Sequence, residues 1–416
     1  MSRFAGNAAL VMLLCTSVQA RTWTSADGSK TFEGELLSYD PATGAVGVNL
    51  AGGKAMKFAQ DKLSAADITF LKEQGKVDAP PVSAPPADKT ADAAPAAKSS
   101  VGKIDADPKN LLKKPDGKPA DMSKPVQVFI IMGQSNAVGL GKLPSLEAAV
   151  KTKGKYSYLV DDTGGWIERK DVRNVFIMSL KLQHNDWMSV KNRNAVGLEY
   201  GLGHTLGNAI EAPVMILKSC IGNRSLGWDL LPPGSEPYDG QPGYRGTNEN
   251  PKGTGEKPAA GWYAGKQYDD DVEGAKQILA DLKTYYPEAK NYEVAGFFFW
   301  QGEKDGGNPV HSAHYEQNLV NFIKSVRKDF NAPNSKFVLA TMGEAVKGSG
   351  NKVMEGQLAV DGKEGKHPEF KGNVATVYTH DMAQGGGGNG HYGGNSEVYM
   401  DVAEAMGQSM VELLKK

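Results

Sequence analysis

Phe129-Ile130-Ile131-Met132-Gly133-Gln134-Ser135-Asn136-Ala137-Val138-Gly139 is an apolar run that stops at a glycine and turns polar, with a serine two positions on. The run is short and rich in β-branched and aromatic residues, which makes it a buried strand. Gly133 permits a sharp turn at the carboxyl end of that strand, where open α/β sheets hold their ligand crevices. Ser135 then sits with its hydroxyl at the mouth of the crevice, beside the free amides of the following turn. The same residues also fit a strand followed by a serine helix cap. The rest of the chain decides between the two.

Downstream, strands and helices alternate. Strands are expected at 126–132, 213–219, 294–300, 337–342 and 373–378, all apolar on both faces, as in a parallel sheet covered by helices. Tyr315, Leu319, Phe322, Ile323 and Val326 mark one helical stripe; Val398, Val402, Ala405, Met406, Met410 and Leu413 mark another. This pattern predicts a three-layer α/β/α domain with a parallel sheet. Residues 229–268 lack periodicity, and Trp228, Tyr238, Tyr244, Trp262 and Tyr263 there suit either a wall for a sugar or a long packed loop.

Several strand ends are polar: Gly133-Gln134-Ser135-Asn136, then Ser219-Cys220-Ile221-Gly222-Asn223-Arg224-Ser225-Leu226, then Trp300-Gln301-Gly302-Glu303-Lys304-Asp305. His380-Asp381 and Gly388-Asn389-Gly390-His391-Tyr392 follow the last strand. In a parallel sheet these ends share one crevice. Together they supply a nucleophile, N–H donors for a developing oxyanion, and a base. His311 and His314 have metal-like spacing but no evident third ligand, so no metal site and no cofactor is expected.

On these motifs, in this order, the segment from about 125 to 416 resembles the sialate O-acetylesterase-type family, carbohydrate esterase family six, within the SGNH hydrolases, whose fold is flavodoxin-like. The resemblance implies Ser135 as nucleophile and His391 as base. It implies an oxyanion hole from the Ser135 and Gly222 N–H groups and the Gln301 side chain. Gln134 and Asn136 would shape the turn, Glu303 would buttress it, and Arg224 would contact sugar or turn. One departure stands out: many such hydrolases carry Asp three residues before the histidine, and here that residue is Gly388. The acid is then expected from Asp381 first, Glu397 second and Asp305 third, with a Ser–His dyad as a further alternative.

The opening 20 residues, with Arg3, the apolar stretch Ala8–Cys15 and Val18-Gln19-Ala20, match an export signal with its cleavage site. Once it leaves, Cys220 is the only cysteine and no internal disulfide can form. Residues 21–75 hold short strands around Asp27-Gly28 and Gly52-Gly53 and a helix over 63–71. The opening Arg21-Thr22-Trp23 and the closing Leu63-Ser64-x-x-Asp67 resemble SLA1 homology domain one, a small SH3-like β-barrel. Residues 76–124 are rich in Ala, Pro, Lys and Asp and are expected as a linker, with contact to the next domain near Leu111-Leu112. Lys and Arg number 47 against 48 Asp and Glu, so no basic field calls for nucleic acid. No integral membrane span is expected. The expected activity is removal of O-acetyl groups from a carbohydrate by an exported serine esterase. Two alternatives remain: a catalytically inactive carbohydrate-binding protein on the same fold, or an envelope adaptor whose small module takes a protein or peptide ligand.

Overall fold

The computed structural model describes residues 21–41, 43–50, 55–74, 104–235, 261–383 and 388–416. Its contacts divide the chain into two units, residues 1–95 and 96–416. The expected export signal, Gly52-Gly53, and Tyr238 and Tyr244 of the aromatic loop lie outside the described residues.

In the first unit β1 (Arg21–Thr24), β2 (Thr31–Asp40), β3 (Ala45–Leu50) and β4 (Ala55–Ala59) form an antiparallel meander, followed by helix α1 (Ala65–Gln74). Trp23, Tyr39, Val46, Val48 and Leu71 are buried together in its core. The two ends of the unit meet: Ser64 N–H donates to the Thr24 carbonyl and Ala26 N–H to the Lys62 carbonyl, both at 2.9 Å. Asp67 accepts from Arg21 at 2.6 Å and from Thr24 N–H at 2.8 Å, and the Arg21 guanidinium lies 3.7 Å from the Phe70 ring centre. The Arg-Thr-Trp opening and the Leu-Ser-x-x-Asp close are therefore two sides of one contact.

The second unit begins with α2 (Pro108–Leu111), β5 (Val126–Gly133), α3 (Ser135–Val138), β6 (Gly141–Lys142) and α4 (Leu143–Lys153). It continues through β7 (Val172–Met178), β8 (Lys181–Trp187), β9 (Ala195–Val196), α5 (Leu198–Ala209) and β10 (Val214–Ser219). Then come α6 (Lys266–Ala280), α7 (Leu282–Tyr285), β11 (Tyr292–Trp300), α8 (Glu303–Gly306) and α9 (Pro309–Asp329). The last elements are β12 (Lys336–Ala340), α10 (Lys352–Ala359), β13 (Val374–Val377) and α11 (Ser396–Leu414). Seven strands form one sheet in the order β13-β12-β11-β5-β10-β7-β8. Every pairing is parallel except β7 with β8.

β5 is buried at every position and lies mid-sheet between β11 and β10. Its alternating side chains feed two cores. Phe129 and Ile131 pack with residues of α5 and α11; Val128, Ile130 and Met132 pack with residues of α6 and α9. The sheet is thus the middle of three layers, and each fully buried Ile or Phe on it contributes about 1.5–3 kcal/mol relative to exposure. All five anticipated strands are present, while β7 and β8 are additions to the expected set. β8 is a half-exposed edge of mostly polar residues, without the double-sided apolar pattern that marks the central strands.

The region expected as linker is packed from residue 104 onward. Ile104 bridges to Ile210, and Leu111 is 1% exposed. Asn208 Nδ2 donates to the carbonyls of Leu111 at 3.0 Å and Lys113 at 2.8 Å. Among the described residues no helix is long and apolar enough to cross a membrane.

Candidate active site

The carboxyl ends of β5, β10 and β11 lie side by side, and each passes into a turn that carries polar residues. β5 ends at Gly133, whose φ is 139°; a Cβ there would stand 2.3 Å from the Trp300 carbonyl at the end of β11. Glycine alone permits that approach. Ser135 then opens the single turn α3, so its N–H has no partner within the turn. It is half-buried, between Gln134 and Asn136, which are fully buried.

Glu303 organises this turn. Its carboxylate accepts from Gln134 Nε2 on one oxygen and from Asn136 Nδ2 on the other, the latter at 2.7 Å. Tyr399 of α11 adds a 3.3 Å bond to Asn136 Oδ1. Burial pushes the Glu303 carboxyl up to about 7, against the opposing effect of the two amide donors.

Gly222, just past the end of β10, abuts the serine: a Cβ position on Gly222 lies 3.5 Å from Ser135 Cβ. The turn that follows Gly222 is held from below. Asp305 accepts from Leu226 N–H at 2.8 Å and Gly227 N–H at 2.7 Å, and Asp229 accepts from Ser225 N–H at 2.8 Å. Burial raises the Asp305 carboxyl to about 6.

Gln301 was expected as a third oxyanion donor, but its amide protons are in use. Gln301 Nε2 donates to the Arg224 carbonyl at 2.9 Å and to Asp305 at 2.6 Å, and its Oε1 accepts from Tyr315 at 3.0 Å. In this arrangement Gln301 props the Gly222–Gly227 turn. Arg224 stacks its guanidinium 3.8 Å above the Trp262 ring, and Trp262 Nε1 donates to Asp229 at 2.7 Å.

His391 lies in a turn, Gly388–Gly394, packed against α3 and β6. His391 and Tyr392 both take left-handed backbone, with φ of 50° and 52°, a conformation uncommon outside glycine. Tyr392 fixes it: the ring is fully buried, stacked on Trp300 at 5.8 Å and edge-on to Tyr399 at 5.9 Å.

The three candidate acids are placed differently. Asp305 is committed to the Leu226 and Gly227 amides. Glu397 pairs with Lys153 and Lys155, and the Lys153 hydrogen bond holds its carboxyl below the usual range. Asp381 lies exposed in the turn His380–Met382 and makes no hydrogen bond with His391. The described residues contain no group of three or more His, Cys, Asp or Glu arranged to hold a metal ion.

Two supports were not anticipated. Gln267 Nε2 bonds both the Gly133 carbonyl at 2.9 Å and Asp271 at 3.0 Å, and Ser219 Oγ bonds the Asp271 carbonyl at 3.1 Å. Burial raises Asp271 to about 8. Lys218, near the end of β10, forms a buried ion pair with Glu199. A charged residue inside the apolar run Val214–Ser219 was the available signal for the second.

No curated protein matches the chain. Among solved structures, a protein from Arabidopsis thaliana is similar at 15% identity and TM-score 0.39, over 69% of this chain and 98% of its own. A carbohydrate acetylesterase from Xanthomonas citri is similar at 11% identity and TM-score 0.39, over 94% of this chain and 68% of its own. NanS is similar at 12% identity and TM-score 0.34, over 63% of this chain and 79% of its own. Residues 251–412, which hold Gln301, Glu303, Asp305, Asp381 and His391, match the model of the family described as carbohydrate esterase, sialic acid-specific acetylesterase.

Proposed function

We propose that the second unit is a serine esterase of the SGNH type, nearest in plan to carbohydrate esterase family six, that removes O-acetyl groups from a carbohydrate. The observation that carries this reading is the abutment of Ser135 and Gly222 at the ends of adjacent parallel strands. Two backbone N–H groups at such a junction suit an oxyanion. Ser135 Oγ attacks the acetyl carbonyl while His391 takes its proton. The Ser135 and Gly222 N–H groups hold the oxyanion, the sugar hydroxyl leaves with the proton from His391, and an acetyl-enzyme remains. Water, deprotonated by His391, then releases acetate. Asp381 is assigned as the acid, since Asp305 and Glu397 are committed elsewhere. The steps call on no metal or cofactor.

Ser135→Ala is expected to cut acetate release from an aryl acetate and from acetylated polysaccharide by roughly a million-fold. Retention of more than a few per cent of turnover removes Ser135 as nucleophile. One observation favours a second reading: Asp381 and His391 are not joined, and Gly388 offers no carboxylate in their place. On that reading the unit is a catalytically silent carbohydrate-binding protein. Binding to acetylated glycans by the wild-type chain without acetate release would establish it.

For the first unit we propose an SH3-like barrel with a protein or peptide ligand, supported by the closure between Thr24–Ala26 and Lys62–Ser64. Capture of a peptide ligand by residues 21–75 tests it, with an Arg21→Ala, Asp67→Ala variant as the control that should lose capture. For the opening 20 residues we propose export, tested by amino-terminal sequencing of the mature protein.

A further inference from the structure

Lys218 occupies an unusual place for a charge. It lies on β10 in register with Ile131 of β5, one residue from the end of the strand that leads to Gly222. Its side chain and that of Glu199 are each 3% exposed, with Nζ and Oε2 3.0 Å apart. The hydrogen bond from Nζ goes to the Val138 carbonyl at 2.7 Å, and Nζ sits 4.5 Å from the Phe176 ring centre. Val138 is the last residue of the turn that Ser135 opens.

Close backbone packing brings the counter-ion there. A Cβ on Gly139 would stand 2.4 Å from the Gly197 Cα, and one on Gly197 would stand 2.4 Å from Glu199 Oε2. Two glycines thus let the start of α5 press against the end of the serine turn. Glu199 sits in the first turn of α5, where the helix dipole favours an anion. Burying such a pair is costly, and an apolar pair of similar size is often at least as stable. Stability alone therefore gives little reason for charges here.

The turn itself has few internal bonds: Val138 N–H to Gln134 O at 2.9 Å and Gly139 N–H to Ser135 O at 3.0 Å. Glu303 grips its beginning through Gln134 and Asn136. Only Lys218 grips its last carbonyl with a side chain among the described residues.

We propose that Lys218 is a positioning residue for the nucleophile turn, with Glu199 as its counter-ion. By clamping Val138 O from the strand that leads to Gly222, it keeps the Ser135 and Gly222 amides in register on one oxyanion. The inference rests on Ser135 as the nucleophile.

The test uses the full chain and two double variants. K218M/E199M removes both charges and the clamp while keeping volume. K218Q/E199Q removes the charges but leaves an amide able to donate to Val138 O. Thermal midpoints of both are expected within a few degrees of wild type. On an aryl acetate, K218M/E199M is expected to lose roughly 10- to 100-fold in kcat with KM within about twofold, the pattern of an interaction felt in the transition state. K218Q/E199Q is expected to regain most of that loss. Equal kcat in wild type and K218M/E199M overturns the proposal, as does equal loss in the two double variants. Amide hydrogen exchange over residues 134–139 decides the same point without turnover. It should speed up about tenfold in K218M/E199M relative to wild type, and unchanged exchange overturns the proposal. Full activity in Ser135→Ala would instead defeat the nucleophile assignment, and the exchange result would still stand on its own.

Discussion

Glu303 is a buried carboxylate that holds the turn carrying Ser135, the proposed nucleophile, through its neighbours. Both of its oxygens are occupied by the amides that flank Ser135, so Glu303→Ala should loosen the turn from its beginning. The expected cost is about ten-fold or more in kcat, with KM little changed, read in an aryl acetate assay. Gln301→Ala separates two roles. If Gln301 only props the Arg224 carbonyl and Asp305, the thermal midpoint falls along with kcat. A loss of about a hundred-fold in kcat with no change in midpoint would restore it as an oxyanion donor. Asp381→Asn is expected to cut turnover by roughly a thousand-fold if the acid role falls to Asp381. Near-normal kinetics would point to a Ser–His dyad. Asp271 contributes to the pH dependence of stability, alongside Glu303 and Asp305, whose carboxyls burial also raises. The native Asp271 carboxyl is raised from the ordinary 3.8 to about 8 by burial. The native state therefore holds this proton where the unfolded chain has released it. The contribution is full below about pH 4 and is lost as pH rises through about 8. Asp271→Asn should flatten the fall in unfolding free energy between pH 5 and 8, by on the order of a few kcal/mol. An unchanged slope would show that Asp271 is ionised in the native protein. The strand ends that carry the candidate residues were legible from residue order, because each polar cluster follows an apolar strand. The partners of Gln301 were not, since they depend on which carbonyl and carboxylate the fold brings under the turn.

The element that holds His391 is a turn with little regular structure, and Tyr392 is its anchor. Tyr392→Ala would remove a fully buried ring from the stack on Trp300, at about 3–5 kcal/mol for a large aromatic. With the anchor gone, the left-handed backbone at His391 loses the ring packing that opposes its relaxation. Turnover should therefore fall further than occupancy of the folded state explains. Tyr392→Phe keeps the ring and is expected to retain both stability and turnover to within a few-fold. Equal loss in the two variants, measured by urea unfolding and aryl acetate kinetics, would place the effect in the hydroxyl. The elements themselves were legible to differing degrees. Strands buried on both faces announce themselves as unbroken apolar runs, and the anticipated ones, β13 at the edge of the sheet included, were found close to their observed ends. β7 carries Arg173 and Asn174 within the strand, and β8 is an exposed edge, so neither shows that pattern. The positive φ of His391 could not be read either, because it is imposed by packing of the next residue.

Composition marks residues 76–124 as one linker, yet the structure makes 104–124 part of the second unit. Sequence signals for a linker measure the lack of apolar residues; the contact expected near Leu111-Leu112 was the one sign of packing in this stretch, and Leu111 is buried where it was expected. Leu111 is buried beside α5, and the carbonyls on either side of it satisfy Asn208. Lys114 pairs with Asp162 at 2.5 Å and Lys124 with Glu211 at 3.6 Å, but both pairs are largely exposed and contribute little. The consequence lies at the scale of the whole chain. A fragment covering 104–416 should unfold at the same temperature as the second unit of the intact protein. A fragment covering 125–416 loses the leucine and uncovers an amide, a loss of roughly 2–4 kcal/mol on the scale of large core deletions. For a domain this size that is about 5 °C or more in thermal midpoint. Both fragments should hydrolyse an aryl acetate at similar rates at 25 °C, because the residues lost lie against the far end of α5 from Glu199. Equal midpoints for the two fragments would show that the segment lies on the domain without supporting it. Loss of activity in 125–416 alone, with its fold intact, would mean that the strap reaches the serine turn through α5. Calorimetry on the two fragments, run beside the assay, distinguishes these outcomes.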